Sequence, residues 1–281
     1  MRELAQLGGD EAVSWIYKGL EDWEFDVRVL ALEALPQTAE QGYAPDVSAV
    51  TACLQDKNCL VRRAAVQALS QIVEKGDTTA FDAVTSLMKK GGSDARTAAV
   101  QALALIVEKG DALAVKAVTD RLEDINWEVR EAALRALSKI VGQADGQVVT
   151  AVTARLEDTK ERVREAAVIA LAQMVEKGDA KAVTAITARL DDKEDFSVRL
   201  AAMEALSLIV EQGDAQAVTG ISALLEDTVS YVRLAAVQAL SLIAEKGDEQ
   251  VIAAVSRRLD DDEWDVRAAA SAALTALELH T

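Results

Sequence analysis

Histidine, proline, cysteine and aromatic residues are scarce in this chain of 281 residues, and each shortage excludes something. The single histidine, His280, leaves no Ser-His or Cys-His pair for nucleophilic catalysis and no histidine-based metal site. Two prolines and 4% aromatics, beside 51% hydrophobic residues, favour helices whose interior is built from Ala, Val, Leu and Ile. Cys53 and Cys59 lack the second pair that a zinc site needs, so we expect two free thiols in a reducing compartment.

Basic side chains are also in deficit, with 30 Lys and Arg against 47 Asp and Glu and a formal charge of −17. Such a surface repels phosphate backbones and anionic lipid headgroups, which excludes nucleic acid and membrane surfaces as general partners. No apolar run reaches the roughly 18 to 20 residues of a membrane span, and the first 20 residues do not resemble a signal peptide. The sequence predicts a soluble cytoplasmic protein.

Motifs that carry chemistry are missing. Gly91-Gly92 lacks the Lys-Ser that makes a phosphate-binding loop specific. The acidic run Asp260-Asp261-Asp262 lacks the alternating ligands of a calcium loop. We therefore predict a protein that is not an enzyme and has no cofactor, metal or catalytic residue.

A repeat organises the whole chain. A Val-Arg pair, replaced once by Ala95-Arg96, recurs every 34 residues, except for one step of 35 before Val198. The pairs start at Val27, Val61, Val129, Val163, Val198, Val232 and Val266. They divide 1–281, a single array, into a partial unit at 1–9 and eight units at about 10–42, 43–76, 77–110, 111–144, 145–178, 179–213, 214–247 and 248–281.

Each unit has the pattern of two helices. The second carries one apolar stripe, as at Val61, Ala65, Leu69 and Ile72, and a glycine such as Gly76 is predicted to close it with a left-handed cap. The Asp that often follows, such as Asp77, can cap the next helix. Because no pair can bury its stripe alone, stacking is required. The fold class predicted is all-α: a right-handed α-solenoid (superhelix) of about eight antiparallel helix pairs.

An Asp five residues before the valine, then Val-Arg, then a helix of small residues, resembles the HEAT family of armadillo-like repeats, and most closely its phycobilisome-lyase-like branch. The resemblance implies a ladder in which the Asp and Arg of adjacent repeats pair. Its members are Asp22, Arg28, Asp56, Arg62, Asp124, Arg130, Asp158, Arg164, Arg199, Asp227, Arg233, Asp261 and Arg267. Lys90 replaces the Asp of the third unit, so we expect the ladder to be interrupted there and the joint to be looser.

Function is predicted from the side of the second helices opposite the core stripe, which in such repeats lines a concave face. Large aliphatics stand there on consecutive units, at Ile169, Leu200 and Leu234. Acidic residues including Glu176, Glu211 and Glu245 form a rail along one edge. Either the aliphatics are partly buried between neighbouring helices, or they form a docking patch for a basic, amphipathic protein or peptide segment.

The function predicted is a non-enzymatic protein-binding scaffold or adaptor. Two alternatives stay open: an engineered or consensus-like structural array without a natural ligand, and an accessory protein similar to the chromophore lyases. The alanine-rich last helix lacks a charged outer face, which also predicts end-to-end self-association.

Overall fold

The computed structural model describes residues 10–38, 44–142 and 146–278, which form sixteen α-helices and no strand. Odd-numbered helices come first in each repeat: α1 (Asp10–Leu20), α3 (Ala44–Cys53), α5 (Thr78–Lys90), α7 (Ala112–Thr119), α9 (Gly146–Thr153), α11 (Ala180–Thr187), α13 (Ala215–Ala223) and α15 (Glu249–Ser256). Even-numbered helices come second: α2 (Phe25–Ala34), α4 (Cys59–Ile72), α6 (Ser93–Ile106), α8 (Trp127–Ile140), α10 (Glu161–Met174), α12 (Phe196–Ile209), α14 (Ser230–Ile243) and α16 (Trp264–Leu277). The predicted all-α solenoid is confirmed.

The chain divides into two compact units, Met1–Gly142 and Gln143–Thr281, with four repeats in each. Within the first unit α2, α4, α6 and α8 pack side by side, and within the second α10, α12, α14 and α16 do the same. Each odd helix packs against the even helix of its own repeat. Both units therefore have two rows of helices, with the apolar core between the rows.

Aliphatic and alanine side chains fill this core. The predicted stripe of α4 is buried, with Val61, Ala65 and Leu69 at 0% exposure. Alanine allows the helices to approach closely, so each repeat buries its stripe against its neighbours. The leucine before each turn is also buried, as at Leu122, except that Leu259 in the last repeat is 42% exposed.

The glycine after five of the even helices does have a left-handed backbone, but the prediction that it caps the helix is wrong. Helix α4 ends at Ile72 and continues into the extended, buried Val73. Gly76, with φ of +84°, is instead the third residue of a turn in which the Asp77 N–H donates to the Glu74 carbonyl. A turn of this kind needs a positive φ at its third position, which glycine adopts without strain. Gly110, Gly178, Gly213 and Gly247 have the same φ sign, whereas Gly42 lies outside the described residues.

These glycines also join neighbouring repeats through the backbone. The Gly76 N–H donates to the carbonyl of Ile106 at 2.9 Å, and the Gly213 N–H to that of Ile243 at 2.6 Å. The acceptor is the last residue of the next even helix, whose carbonyl has no partner within its own helix. The same bond runs from Gly110 to Ile140, Gly178 to Ile209 and Gly247 to Leu277. Each turn thus caps the helix of the following repeat.

Aspartate begins the odd helices as predicted. The carboxylate of Asp77 accepts the Ala80 N–H at 2.8 Å, and that of Asp111 accepts the N–H groups of Leu113 and Ala114. Asp179, Asp214 and Asp248 cap α11, α13 and α15 in the same way.

Arginine-aspartate ion pairs, the ladder implied by the resemblance, cross four joints within the units. Arg28 Nε lies 2.7 Å from Asp56 Oδ2, and Arg96 Nη2 lies 2.6 Å from Asp124 Oδ1. Arg199–Asp227 and Arg233–Asp261 repeat the contact at 2.9 and 2.7 Å. Every arginine of this row also donates to a backbone carbonyl of its own turn, as from Arg28 Nη1 to Asp22 at 2.7 Å.

Two joints depart from that pattern. The expected interruption at Lys90 does not occur, because Arg62 pairs instead with Asp94 at 2.7 Å, through a carboxylate that is 54% exposed. Before the 35-residue step, in contrast, the ion pairs of the described residues include none between Arg164 and Asp192. The Asp192 carboxylate accepts the N–H groups of Glu194 and Asp195. The extra residue gives this turn an additional N–H to satisfy.

The remaining ladder residues lie at the ends of the two units. Asp22 accepts the Glu24 N–H, and Arg267 donates to the backbone carbonyls of Asp261 and Asp262. Arg130 Nη1 donates to the Asp124 carbonyl, and Asp158 accepts the Lys160 N–H.

Candidate functional site

The solvent side of the even helices is the surface that the repeat leaves open. On a helix, the positions opposite a buried valine lie one residue before it and two, six, nine, ten and thirteen residues after it. We call this strip on α10, α12, α14 and α16 the even-helix face of the second unit. On α12 it holds Ser197, Leu200, Glu204, Ser207 and Leu208, and it continues to Glu211 in the turn beyond the helix. On α14 it holds Tyr231, Leu234, Gln238, Ser241 and Leu242, and it continues to Glu245 in the next turn. These twelve positions include three glutamates and no Lys or Arg.

The three predicted aliphatic residues lie on this face with different exposures. Ile169 on α10 is 48% exposed. Leu200 and Leu234, two residues after their valines, are half-buried. Leu200 and Leu234 are therefore partly buried while Ile169 faces solvent, and the docking role of the three residues stays a prediction.

Two leucines that the sequence reasoning did not single out are more exposed than any of the three. Leu208 is 51% exposed and Leu242 is 68% exposed, at equivalent positions of the adjacent helices α12 and α14. The position ten residues after the valine lies at the margin of the solvent side. There a helical projection alone does not separate buried positions from exposed ones. The sequence did contain one signal, because the equivalent position of α4 holds the polar Gln71 where α12 and α14 hold leucine.

The predicted acidic rail follows the turns beyond these leucines. Glu176, Glu211 and Glu245 are all exposed. The side chains lie against the turn of the preceding repeat, because a methyl group added to Gly178 would come 3.2 Å from Glu211 Cγ. One added to Gly213 would come 2.6 Å from Glu245 Oε1. Contact with the glycine turns thus holds two of the carboxylates one repeat apart beside Leu208 and Leu242.

Aromatic side chains border the other end of the same face. Phe196 at the start of α12 is 43% exposed, Tyr231 at the start of α14 is 67% exposed, and Trp264 at the start of α16 is 67% exposed. They lie at the beginning of the even helices of three successive repeats. Exposed aromatic and aliphatic side chains therefore flank both ends of the face, with carboxylates between and beside them.

The even helices of the first unit present different chemistry. The corresponding positions on α4 carry Arg63, Gln67 and Gln71, all exposed. On α8 they include Arg135 and Lys139, with Arg135 paired to Glu131 at 2.9 Å on the same helix. The surface of α4 and α8 is rich in amides and carries cations, which distinguishes it from the apolar and acidic surface of α12 and α14.

Titration is perturbed in the ladder. Burial alone would raise the pKa of Asp124, but the hydrogen bonds from Arg96 and from the Asn126 N–H outweigh it and hold the pKa below its ordinary value. The hydrogen bond from Arg233 likewise lowers the pKa of Asp261. These shifts have a structural cause, the ion pairs between repeats.

Residues 10–38, 44–142 and 146–278 contain no group of three or more His, Cys, Asp or Glu side chains that could hold a metal ion. No helix in that part of the chain is long and apolar enough to cross a membrane.

Comparison with known proteins gives one family. The family model for HEAT repeats matches residues 13–104, 115–207 and 204–275. No curated protein matches the chain. Among solved structures, a crystal structure described only as an engineered protein is 21% identical, with a TM-score of 0.46 over 99% of this chain and 79% of its own. The family match spans both units.

Proposed function

Because the chain belongs to the HEAT repeat family, whose members commonly bind proteins, we propose that it is a protein-binding scaffold without catalytic activity. The partner proposed is a basic, amphipathic segment that lies on the even-helix face of the second unit. The observation that carries this proposal is the pair Leu208 and Leu242, exposed by 51% and 68% on adjacent helices that have no cation on the face. Exposed apolar residues rimmed by charge often mark docking sites.

The spacing of these leucines suggests the form of the segment. Packed helices lie about 8 to 10 Å apart, so equivalent residues of α12 and α14 are separated by about that distance. Two residues seven apart on a partner helix are separated by about 10.5 Å. An amphipathic helix that crosses α12 and α14 can therefore place one apolar side chain beside each leucine. Lysines flanking its apolar stripe would meet Glu204, Glu211 and Glu245.

A designed peptide tests the proposal. The probe is an 18-residue helix with leucines on one stripe and lysines beside them, labelled for fluorescence anisotropy. We expect it to bind, to bind less tightly as salt rises, and to lose about tenfold or more in affinity in the double variant L208E/L242E. Each new carboxylate would remove an apolar contact with a leucine of the peptide, and this loss outweighs its added attraction to the flanking lysines, which salt screens.

The matched control is Leu113→Glu, which alters a leucine of similar exposure, 69%, on the odd helix α7. A second control peptide has glutamate in place of every lysine. Equal binding of the two peptides, or an equal loss in the Leu113→Glu protein, would show that the even-helix face is not the docking surface.

A further inference from the structure

A groove on the first unit has its own chemistry. It lies between the even helices α2 and α4 and encloses about 580 Å³. Its accessible apolar surface comes from Val29 and Ala64, both half-buried, and from Leu60, which is 45% exposed at one end. Leu32 and Ala68 lie buried beneath this surface. Polar side chains line both walls, which distinguishes this groove from the leucine-bearing face of the second unit.

Both walls have the spacing of one helix stripe. Val29, Glu33 and Gln37 follow each other at intervals of four residues along α2 and the 3-10 turn that extends it. Arg63, Gln67 and Gln71 do the same along α4. Four residues rise about 6 Å in an α-helix, so each wall presents three side chains over about 12 Å.

Several polar side chains on the two walls have no hydrogen-bond partner among the described residues. No ion pair or hydrogen bond of the described residues engages the Arg63 guanidinium or the side-chain amides of Gln37, Gln67 and Gln71. Arg62, one position earlier, is engaged by both Asp56 and Asp94. A guanidinium offers a fork of donors for a carboxylate, and each glutamine offers two donors and one acceptor oxygen.

We propose that this groove binds an extended peptide segment in which an apolar side chain is followed, two residues later, by an acidic one. The repeat of an extended chain is two residues, about 6.6 Å, which matches the interval between successive side chains of the α4 wall. Glutamine amides complement the donors and acceptors of a peptide backbone. The apolar side chain packs on Leu60 and Ala64, and the carboxylate pairs with Arg63.

The experiment uses the full, ¹⁵N-labelled chain and the peptide Ac-Ala-Leu-Ala-Glu-Ala-NH₂, whose blocked ends leave its Glu as the only carboxylate. Nuclear magnetic resonance follows the Nε–H signal of Arg63 and the side-chain NH₂ signals of Gln37, Gln67 and Gln71, assigned with single Ala variants. We expect these signals to move together on titration. Arg63→Gln should weaken binding about three- to fivefold, since an exposed ion pair with the peptide carboxylate is lost.

Arg135→Gln is the matched control, because it removes the same charge from an even helix outside the groove. Binding should also disappear when Lys replaces Glu in the peptide. The proposal is overturned if the four signals stay in place, if Arg135→Gln weakens binding as much as Arg63→Gln, or if the Lys peptide binds equally. Thermal melting of both variants shows that exposed substitutions leave the fold intact.

Discussion

Two neighbouring ladder pairs in the first unit allow the contribution of burial to be measured. Asp124 pairs with Arg96 at 2.6 Å, and its side chain is 5% exposed. Asp94 pairs with Arg62 at 2.7 Å, but its side chain is 54% exposed. The change to Asn removes the charge in each case. In the Asp124→Asn variant the amide oxygen of the new side chain could still accept the backbone N–H of Asn126, which Asp124 now accepts at 2.9 Å.

Breaking a buried ion pair costs about 3 to 5 kcal/mol, because one charge is left without a partner. We expect Asp124→Asn to cost about 3 kcal/mol, at the low end, since Arg96 is 16% exposed and keeps its bond to the Gly91 carbonyl. An exposed pair contributes about 0 to 1 kcal/mol, so Asp94→Asn should cost at most about 1 kcal/mol. At about 2 to 4 °C per kcal/mol, the unfolding midpoints should fall by about 6 to 12 °C and by less than about 4 °C.

The assay is thermal unfolding followed by tryptophan fluorescence in a Trp264→Phe background. The other three tryptophans, Trp15, Trp23 and Trp127, all lie in the first unit, so the signal reports the unit that carries both substitutions. Equal shifts of the midpoint for the two variants, or a larger shift for Asp94→Asn, would refute the argument that burial sets the strength of the ladder.

Three further outcomes are expected. Gly213→Ala should lower the unfolding midpoint, because φ is +82° and the new methyl would lie 2.6 Å from a Glu245 oxygen, whereas Gly92→Ala, in open space, should not; equal midpoints would contradict this. The pKa of Asp261 in the folded protein is depressed, so its ion pair stabilises the fold above the ordinary pKa near 3.9. That stabilisation is lost as pH falls through the pKa of the folded state. The free energy of unfolding in urea below pH 4 should therefore depend less on pH in Asp261→Asn than in the unchanged protein. Cys59 is exposed, while burial raises the pKa of Cys53 to about 11, so a thiol reagent at pH 8 should label one cysteine quickly, and Cys59→Ser should remove that phase.

The repeat, the helix pairs and the aspartate caps could be read from the sequence, because each depends on residues close together in the chain. The end of the even helices could not. Val73 is β-branched and buried, and its extended conformation ends α4 before Gly76 is reached. The sequence pattern shows that a glycine is needed, but not whether the helix or the turn after it needs the positive φ.

Contacts between repeats were predictable only where the spacing is regular. Arg28 and Asp56 are 28 residues apart and pair as the family pattern implies. Asp94 pairs with Arg62 from four residues beyond the expected position, which requires knowing how far α5 extends. The exposures of Leu208 and Leu242 likewise depend on how adjacent helices are rotated. The lyase-like branch and the partner-binding role of Ile169, Leu200 and Leu234 stay predictions.

Each turn glycine donates the same hydrogen bond to the end of the next even helix, so a whole repeat can be removed or added without losing that bond. Removing residues 77–110, one full period, would bring the Gly76 N–H to the carbonyl of Ile140, which has the acceptor role that Ile106 had. A deletion that ends within a helix would instead separate such a donor from its acceptor, whereas the 35-residue repeat, whose extra residue lies in a turn, keeps the bond from Gly178 to Ile209. Such a chain can lengthen or shorten by duplication and loss of 34-residue segments while its main-chain hydrogen bonding stays complete.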